Sequence, residues 1–433
     1  MQPIFGDMLK MWANMGYDLP MKEGRFWLEN NFIQGFTPDG EMHKLYKYKV
    51  FSDLSIQITP YKVNKTTICL ADLDSFENFE TFETWQQTAD RLAPQINDKV
   101  QESLQVIRDT YKQYSGYEFL VLNSTGKDSM VTLDLVQKVD PNVRVLFNNT
   151  SLDCAETYRM VKAHKDWEIS NPPIGFYQYI IQHSYIPNRM SRGCCTLFKE
   201  GNSAEYLKDS KKLVQFMGVR NDESSKRSDR QFIEKNPKWK DRDWFSCLPI
   251  RKWSELEIWL YTLSRGIELN PKYRKGYKRV GCGIACPYST KFAWHLDKYW
   301  YPKMRERWEK ILATDCSQSQ RWTKMNCTIA EYVQDGWNGT LYRPDPTEEV
   351  IQEFMRYKGI TDRNLALQYF NKVCCECGKN VRQEDVIAMN LKLIGRETEK
   401  IYCKQCLKKM FKITTQQWDE SVKKFKDEGC ELF

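Results

Sequence analysis

A turn that binds phosphate needs hydroxyl groups, an unhindered backbone and positive charge, and one short stretch supplies all three: Ser124, Thr125, Gly126, Lys127, Asp128 and Ser129. The apolar run "YEFLVL" precedes this stretch, and Val131, Leu135 and Val139 follow it at helical spacing. A strand, a polar turn and a helix are therefore predicted. Such a turn directs backbone N–H groups and the positive end of a helix dipole at one point, so we predict a phosphate site.

The residues of this turn are of types that could bind different parts of a nucleotide and its metal ion. Gly126 lets the backbone approach the phosphates, the serine hydroxyls and Lys127 meet their negative charge, and Asp128 is a carboxylate of the kind that binds Mg²⁺. The stretch is not a Walker P-loop, because that motif would need glycine at Val121 and Ser or Thr at Asp128. A polar loop with a purely structural role is the alternative interpretation.

The composition is that of a globular protein, with 28% charged and 41% hydrophobic residues. The sequence shows no apolar run long enough to span a membrane and no signal-peptide pattern at its start, so we expect a cytoplasmic protein without membrane contact. The net charge is +8, and residues 220–279 carry sixteen Lys and Arg against nine Asp and Glu. This stretch suits a polyanion such as a nucleotide or nucleic acid, with a solvated charged surface as the alternative.

Cysteines in a reducing compartment are read as metal ligands when they cluster, and two sets of the 15 cysteines do so. The first set consists of two pairs, Cys194 with Cys195 and Cys282 with Cys286, which have the composition of a Cys₄ iron–sulfur site. Two buried cysteine pairs without metal are the alternative. His295 is the one histidine near the second pair in sequence.

The second set has the spacing of a zinc ribbon. Cys374 and Cys377 form one Cys-x₂-Cys knuckle, and Cys403 and Cys406 form another after 25 residues. Two such knuckles close a tetrahedral Zn²⁺ site, which most often serves to stabilise a small module and less often provides a nucleic-acid or partner surface.

The alternation of apolar strands and helical segments after residue 115 predicts parallel βαβ units. We expect an α/β protein with an N-terminal α+β region over residues 1–85 and a parallel-sheet domain over 86–300. A helical extension over 301–345 and a small cysteine-bearing module over 346–433 follow. Helical spacing over 84–114, interrupted at Pro94, predicts a helix with a boundary or kink there.

Several stretches, in order along the chain, resemble the PP-loop ATP pyrophosphatases. The turn "STGKDS" is similar to their S-G-G-x-D-S signature, with Thr125 in place of the first glycine. "VLFNNTSLDCAET", "CCTLFKE", "GVRNDES" and "NPKYRKGY" are similar to further elements of the phosphoadenosine phosphosulfate (PAPS) reductase branch. In the first of these, Asn149 stands where that branch usually has Asp, whereas Thr150, Glu156 and Thr157 match. The resemblance covers about residues 115–300.

The resemblance implies an adenine nucleotide alpha hydrolase-like fold that binds ATP and Mg²⁺. The residues implied in nucleotide binding are Ser124, Thr125, Gly126, Lys127, Asp128, Ser129, Asn149, Thr150, Lys199, Gly218 and Arg220. Among them, Asp128, Lys127 and Arg220 are expected to act in catalysis, with Asp128 as the Mg²⁺ ligand. The resemblance to sulfonucleotide reductases and DNA-phosphorothioation ATP pyrophosphatases also implies a [4Fe-4S] cluster on the first cysteine set.

Three activities fit these features. In the first, the protein uses ATP to adenylylate an acceptor, releases pyrophosphate and lets sulfur displace AMP; nucleic acid is then the expected acceptor and a cysteine desulfurase a possible sulfur donor. In the second, it reduces PAPS or its 3′-dephospho form, APS, to sulfite. In the third, it binds a nucleotide without turnover as a regulatory or assembly component. The intact Asp128-Ser129 end of the turn favours the first, and Cys430, close to the end of the sequence, would be the nucleophile of the second.

Overall fold

The structure is a computed structural model of the 433-residue chain. It describes residues 1–51, 53–61, 79–187, 193–223, 230–236, 241–284, 286, 289–325 and 328–334, and beyond these 352, 355–356, 361, 374–377, 381, 384–395, 398 and 400–427. The chain forms two compact units. One comprises residues 1–319 and 332–338, and the other comprises 320–331 and 339–433.

The larger unit is built on a six-stranded sheet with the order β10-β11-β9-β6-β7-β8. Its strands are β6 (Glu118–Leu122), β7 (Arg144–Asn148), β8 (Glu168–Ser170), β9 (Lys212–Met217), β10 (Ile233–Lys235) and β11 (Asp243–Cys247). All neighbours pair in parallel except β10, which runs antiparallel to β11 at the edge. The predicted parallel α/β domain is confirmed.

Both faces of this sheet are covered, as its apolar strands require. Consecutive side chains of a strand point to opposite faces, and Leu120 and Val121 in β6 are both fully buried. Val121 packs in one cluster with Val131 and Leu135, which belong to the helix after the polar turn 124–129. Leu120 packs with Trp244 in a separate cluster on the other side of the sheet. The edge of the sheet at the carboxyl ends of β6, β7 and β9 is therefore framed by helices.

The helices of the larger unit are α1 (Gly6–Asn14), α2 (Trp85–Arg91), α3 (Ala93–Gln113), α4 (Lys127–Gln137), α5 (Ala155–Ala163), α6 (Phe176–His183), α7 (Gly193–Cys195), α8 (Asn202–Tyr206), α9 (Glu255–Arg265), α10 (Lys291–Trp300) and α11 (Pro302–Ala313). A π-helical turn, Thr196–Gly201, joins α7 to α8. The helix predicted over 84–114 is α2 and α3, and the predicted boundary is confirmed, because Pro94 lies in the first turn of α3.

The N-terminal region is a second, antiparallel sheet with α1 packed on it. Its five strands are β1 (Gln2–Pro3), β2 (Phe26–Glu29), β3 (Phe32–Phe36), β4 (Met42–Val50) and β5 (Ile56–Pro60), in sequence order. Met8 and Trp12 of α1 share a buried cluster with Tyr277 and with Leu296 of α10. The predicted α+β region is thus confirmed, and it packs directly against elements of the parallel-sheet domain.

The described part of the smaller unit is helical. It contains α12 (Gln320–Met325), α14 (Glu384–Leu393), α15 (Lys404–Phe411) and α16 (Thr415–Asp427). The helix α13 (Ile329–Gln334) is divided between the two units after residue 331. Leu407 and Trp418 are at the centre of its apolar cluster, together with Cys374. Across the helices that the structure describes, none has the length and apolar character needed to cross a bilayer.

Candidate functional site

A cavity of about 660 Å³ lies at the carboxyl ends of β6, β7 and β9, where parallel sheets usually bind ligands. Most of the predicted site residues line it: Ser124, Gly126, Lys127, Asp128, Ser129, Thr150, Lys199, Gly218, Arg220, Cys282 and Cys286. Thr125, Asn149, Cys194 and Cys195 are not part of its lining. The phosphate loop and one of the two cysteine pairs therefore face the same space.

The phosphate loop, residues 123–129, is shaped by its own polar side chains. The carboxamide oxygen of Asn123 accepts hydrogen bonds from the Thr125 N–H at 2.7 Å and from the Ser129 hydroxyl at 3.1 Å. The Ser129 hydroxyl also accepts a bond from the Ser124 N–H at 3.2 Å. Thr125 has φ +58°, in the left-handed region, whereas Gly126 has an extended φ of −75°. The sharp bend thus falls on the threonine rather than on the glycine.

Positive and negative charges alternate beside the loop, on Lys127, Asp128 and Arg220. Lys127 Nζ lies 2.9 Å from Asp128 Oδ2, and Arg220 Nε lies 2.5 Å from Asp128 Oδ1. The side chains of Lys127 and Arg220 are each only 4% exposed, and that of Asp128 is 17% exposed. Both carboxylate oxygens of the predicted Mg²⁺ ligand are therefore paired with cations of the protein.

Burial and pairing act in opposite directions on these groups. Burial alone would raise the pKa of Asp128, but the adjacent Lys127 and Arg220 hold it below its ordinary value. Burial would lower the pKa of Lys127, but Asp128, Tyr273 and Glu255 together raise it to about 12. All three groups remain charged at neutral pH.

Glu255, in the first turn of α9, adds a second carboxylate to these charges. It lies 3.5 Å from Lys127 Nζ and 3.3 Å from Lys278 Nζ, and it lines the cavity. Sequence reasoning missed Glu255. The Ser254-x-x-Glu257 capping box marks the start of α9, but no local pattern indicates that this helix end contacts a loop so distant in the sequence.

Gly218 has a steric role in the site. A Cβ atom on Gly218 would lie 2.6 Å from the Asp128 carbonyl group and from the Ser129 nitrogen. Because these contacts involve backbone atoms, no side-chain rotation relieves them. The end of β9 therefore approaches the start of α4 as closely as a glycine allows.

We expect Gly218→Ala to displace the phosphate loop and to lower the free energy of unfolding by about 1–3 kcal/mol, the usual cost of overpacking. Denaturant unfolding measures this change. Gly116→Ala is the matched control, because a Cβ atom there meets no other atom within 4 Å. A Gly218→Ala protein as stable as the Gly116→Ala protein would show that the close approach is not required.

The residues after β7 are held by hydrogen bonds within the protein. The Thr150 hydroxyl donates to Asp153 Oδ2 at 2.8 Å, and both residues line the cavity. The Asn149 carboxamide donates to Asn171 and accepts from the Tyr158 hydroxyl and the Ser151 N–H. Asn149 thus organises this turn in the structure, and its predicted role in nucleotide binding stays a prediction.

The four cysteines of the first set lie as two neighbouring pairs, Cys194 with Cys195 and Cys282 with Cys286, and in each pair the neighbouring thiol raises the pKa of Cys194 or of Cys282. Cys282 and Cys286 line the cavity, whereas Cys194 and Cys195 do not. Cys282, and to a smaller extent Cys286, also raises the pKa of the Lys199 ammonium group. This lysine, predicted to bind the nucleotide, therefore lies near the two cysteines that line the same cavity.

Two carboxyl groups in the cavity wall were not predicted, the half-buried Asp153 and the buried Asp297. Burial raises the pKa of Asp153 and that of Asp297, which accepts a 2.6 Å hydrogen bond from the Tyr277 hydroxyl. Lys272, only 3% exposed, donates to the Val280 carbonyl oxygen at 2.7 Å. These polar groups come from separate segments, so no single motif indicates them.

Helix α10 connects the cavity with the N-terminal sheet. Its residues Phe292, Leu296 and Asp297 line the cavity. His295 points elsewhere, because its Nδ1 atom lies 2.7 Å from the carbonyl oxygen of Leu54, before β5. The histidine singled out for its sequence position near the cysteines therefore contacts the N-terminal region.

The basic stretch over residues 220–279 is divided in the structure. Arg220 and Lys272 are buried at the cavity and Arg251 is half-buried, whereas Lys252 and Arg265 are exposed. Lys226, Arg227, Lys238 and Lys240 lie outside the described residues. Part of the positive charge is thus directed at the cavity rather than forming a surface.

The four cysteines of the second set lie close together, as their Cys-x₂-Cys spacing predicts. The sulfurs of Cys374, Cys377, Cys403 and Cys406 lie within 4.8 Å of one another, and those of Cys377 and Cys403 are 3.7 Å apart. A tetrahedral ion with Zn–S bonds of about 2.3 Å would space its sulfurs by about 3.8 Å. Among the described residues this is the one group of three or more such ligands so closely gathered. The predicted four-cysteine cluster is confirmed.

The surroundings of this cluster favour a thiolate at Cys374, whereas the neighbouring thiols, Cys403 first, raise the pKa of Cys406 to about 12. Burial opposes ionisation of Cys374, but backbone N–H groups, including those of Cys403 and Cys377, lower its pKa to about 6. The carboxamide of Asn390 in α14 accepts from the Tyr402 N–H at 2.7 Å and donates to the Tyr402 carbonyl oxygen at 2.8 Å. Cys403 follows directly and begins α15.

Comparison with known proteins matches residues 118–287 to the phosphoadenosine phosphosulfate reductase domain. An uncharacterized protein of Methanocaldococcus jannaschii is 29% identical over 224 residues, which span 50% of this chain and 46% of that protein. An adenosine 5′-phosphosulfate reductase of Lysinibacillus sphaericus is 26% identical over 247 residues, which span 54% of this chain and 96% of the reductase.

The resemblance to solved structures is more distant. A phosphoadenylyl-sulfate reductase from Candida auris has a TM-score of 0.35 at 18% identity, over 45% of this chain and 94% of that one. A U34-tRNA thiolase from Methanococcus maripaludis, solved with its [4Fe-4S] cluster, has a TM-score of 0.30 at 15% identity, over 57% of this chain and 80% of that one.

Proposed function

We propose that this chain, in which residues 118–287 form a phosphoadenosine phosphosulfate reductase domain, is an ATP-dependent sulfur-transfer enzyme. It binds ATP with Mg²⁺ in the cavity above the phosphate loop and adenylylates an acceptor, with release of pyrophosphate. A sulfur species then displaces AMP from the activated acceptor. Nucleic acid is the acceptor that we propose, and a cysteine desulfurase is a donor of suitable chemistry.

The observation that carries this proposal is the shared cavity. Ser124, Gly126, Lys127, Asp128 and Ser129 of the phosphate loop line the same cavity as Cys282 and Cys286. A nucleotide with a β,γ-pyrophosphate group would give the charged loop a function, and it would share the cavity with these two cysteines. One cavity of about 660 Å³ is large enough for a nucleotide and a small reacting group.

The charged residues of the loop supply the electrostatic part of the proposed reaction. When the acceptor oxygen attacks the α-phosphorus, the bond from that phosphorus to the bridging oxygen breaks and pyrophosphate leaves with additional negative charge. Lys127 and Arg220, which pair with Asp128 in the structure, would stabilise this charge by pairing with phosphate oxygens instead. Asp128, once released, becomes available to the Mg²⁺ that accompanies the nucleotide.

The first cysteine set fits a [4Fe-4S] cluster in its donor chemistry. The two neighbouring pairs provide four thiols as ligands, and Lys199 provides a positive charge near Cys282 and Cys286. We propose Cys194, Cys195, Cys282 and Cys286 as the ligands. A cluster held there would provide electron transfer or a coordination site for sulfur next to the nucleotide. The second set, with its tetrahedral spacing, is the proposed Zn²⁺ site.

The proposal is tested with ATP labelled in the α-phosphate, incubated with tRNA, DNA or small-molecule acceptors under anaerobic conditions. We expect magnesium-dependent pyrophosphate release and labelled AMP on the acceptor or free in solution. ATP binding without pyrophosphate release, whatever the acceptor, would instead identify a nucleotide-binding component without turnover.

Sulfonucleotide reduction is the second function that an observation favours, because the match to the adenosine 5′-phosphosulfate reductase spans 96% of that enzyme. A reductase needs a thiolate that attacks the sulfonyl sulfur, and Cys430, which lies outside the described residues, is the cysteine predicted for that role.

Cys430→Ser separates the two functions. We expect the variant to retain full ATP-dependent pyrophosphate release, because the adenylylation that we propose uses the charged residues of the cavity and requires no thiol nucleophile. The wild-type protein should form no sulfite from PAPS or APS. Sulfite formation that requires Cys430 and no ATP, measured by a colorimetric thiol exchange assay, would establish the reductase instead.

A further inference from the structure

We propose that Asn270 is a positioning residue for the phosphate loop, because it holds Thr125 in the left-handed backbone conformation on which the loop depends. The inference deepens the proposed function, since it concerns the same nucleotide site. The shape of the loop is nevertheless measurable without a nucleotide, so the inference can be tested separately.

Thr125 has a conformation that its residue type disfavours. Its φ of +58° lies in the region where a Cβ atom crowds the backbone, and a β-branched residue is a marked exception there. Such a conformation persists only where neighbouring groups hold it. Thr125 is fully buried, so the groups that hold it belong to the protein.

Asn270 holds the hydroxyl group of Thr125, whose N–H is held separately by Asn123. Its Nδ2 atom donates to Thr125 Oγ1 at 2.8 Å and to Thr157 Oγ1, in α5, at 2.9 Å. Its Oδ1 atom accepts from the Lys272 N–H at 3.0 Å. Asn270 and both threonines are fully buried. With both donors and its oxygen engaged, the carboxamide has a single orientation and ties the loop to α5.

The segment that carries Asn270 contacts the loop at a second point. The Tyr273 hydroxyl, also buried, accepts a 2.9 Å hydrogen bond from the Lys127 N–H. Residues 270–273 thus fix the backbone on both sides of Gly126. A relaxation of Thr125 to negative φ would turn the neighbouring N–H groups away from the position where phosphates are proposed to bind. Asn270 acts on the site through Thr125 and does not itself line the cavity.

Hydrogen–deuterium exchange of the loop amides tests this role in the ligand-free full-length protein. Asn270→Ala should raise exchange of residues 124–127 about tenfold, because one hydrogen bond is lost and backbone strain is released. Adding Thr125→Gly to that variant should restore most of the protection, since glycine adopts positive φ without strain. A merely structural contact would give no such rescue.

Two single variants keep the test decisive if Asn270→Ala does not fold. Thr125→Val matches threonine in size and keeps the strain, but cannot accept the bond from Asn270, so it should loosen the loop. Thr125→Gly loses the same bond and should not. Asn390→Ala is the control, because Asn390 is an equally buried asparagine that joins two segments of the other unit. It should leave exchange at residues 124–127 unchanged.

Nucleotide affinity gives the functional readout. Equilibrium binding of a non-hydrolysable ATP analogue should weaken about tenfold in Thr125→Val and by a smaller factor in Thr125→Gly, which keeps the backbone conformation, and it should be unchanged in Asn390→Ala. Equal exchange in Thr125→Val and Thr125→Gly, or unchanged exchange in a folded Asn270→Ala protein, would overturn the inference. A wild-type protein that binds no adenine nucleotide would overturn the proposed function, while the exchange data would still decide the role of Asn270.

Discussion

Asp128→Asn is expected to lower magnesium-dependent pyrophosphate release by roughly a hundredfold, as removal of a group that organises transition-state charge typically does. The asparagine retains one oxygen acceptor but loses the charge that pairs with Lys127, with Arg220 and, in the proposed reaction, with Mg²⁺. Turnover is measured as pyrophosphate released from ATP at saturating acceptor. A variant that turns over at the wild-type rate would remove Asp128 from the mechanism.

The same substitution should also destabilise the protein, by about 1–3 kcal/mol, because two buried cations lose the carboxylate that they share. The pKa of Asp128 is lowered in the folded state, so its contribution is present above the ordinary pKa of aspartate and is lost as the pH falls through the lowered value. The stability difference between wild type and variant should therefore shrink in acid. Asp134→Asn, on the same helix but paired with Lys138 near the surface, is the matched control and should keep its activity.

Cys282→Ser is expected to abolish iron binding while leaving about one Zn²⁺ per chain. Anaerobically purified wild-type protein should contain about four iron atoms per chain and show the broad visible absorption of a [4Fe-4S] cluster. The variant should be colourless, because a serine does not replace a cluster thiolate. Metal analysis and an absorption spectrum of both proteins provide the measurement.

Two further variants test whether each cysteine set binds its own metal. Cys406→Ser should lose zinc and keep iron, the reverse of Cys282→Ser. Cys375→Ala should keep both metals, since this exposed thiol is adjacent to Cys374 but outside the four-cysteine group. A colourless wild-type protein that contains only zinc would contradict the cluster assignment, and the sulfur would then have to come from an already activated donor.

The sequence predicts those parts of the site whose signals are local. The phosphate loop was recognised because a strand, a polar turn and a helix follow one another within 20 residues, and β6 and α4 flank it in the structure. The zinc spacing is equally local within each knuckle. Where a short segment fixes the geometry, residue type and spacing are sufficient.

The contacts that complete the site join distant segments and leave no local signal. Arg220 lies 92 residues from Asp128, and Asn270 lies 145 residues from Thr125. Arg220 was identified through the resemblance to a family, whereas Glu255 and Asn270 were given no role. Their contacts depend on how α9 and the segment after it pack on the sheet. This packing is a property of the folded chain and leaves no local pattern in the sequence.

The packing of α10 determines how long a fragment of the chain must be to retain the complete cavity wall. The family match ends at residue 287, but Thr290, Phe292, Leu296 and Asp297 form part of the cavity wall. Leu296 in turn packs with Met8 and Trp12, and a Cβ atom on Gly276 would lie 2.9 Å from the Met8 sulfur. A fragment cut at the limits of the match would lack one side of its binding site and expose the apolar surface that α1 covers. The minimal working unit should therefore begin with the antiparallel sheet and extend through α11.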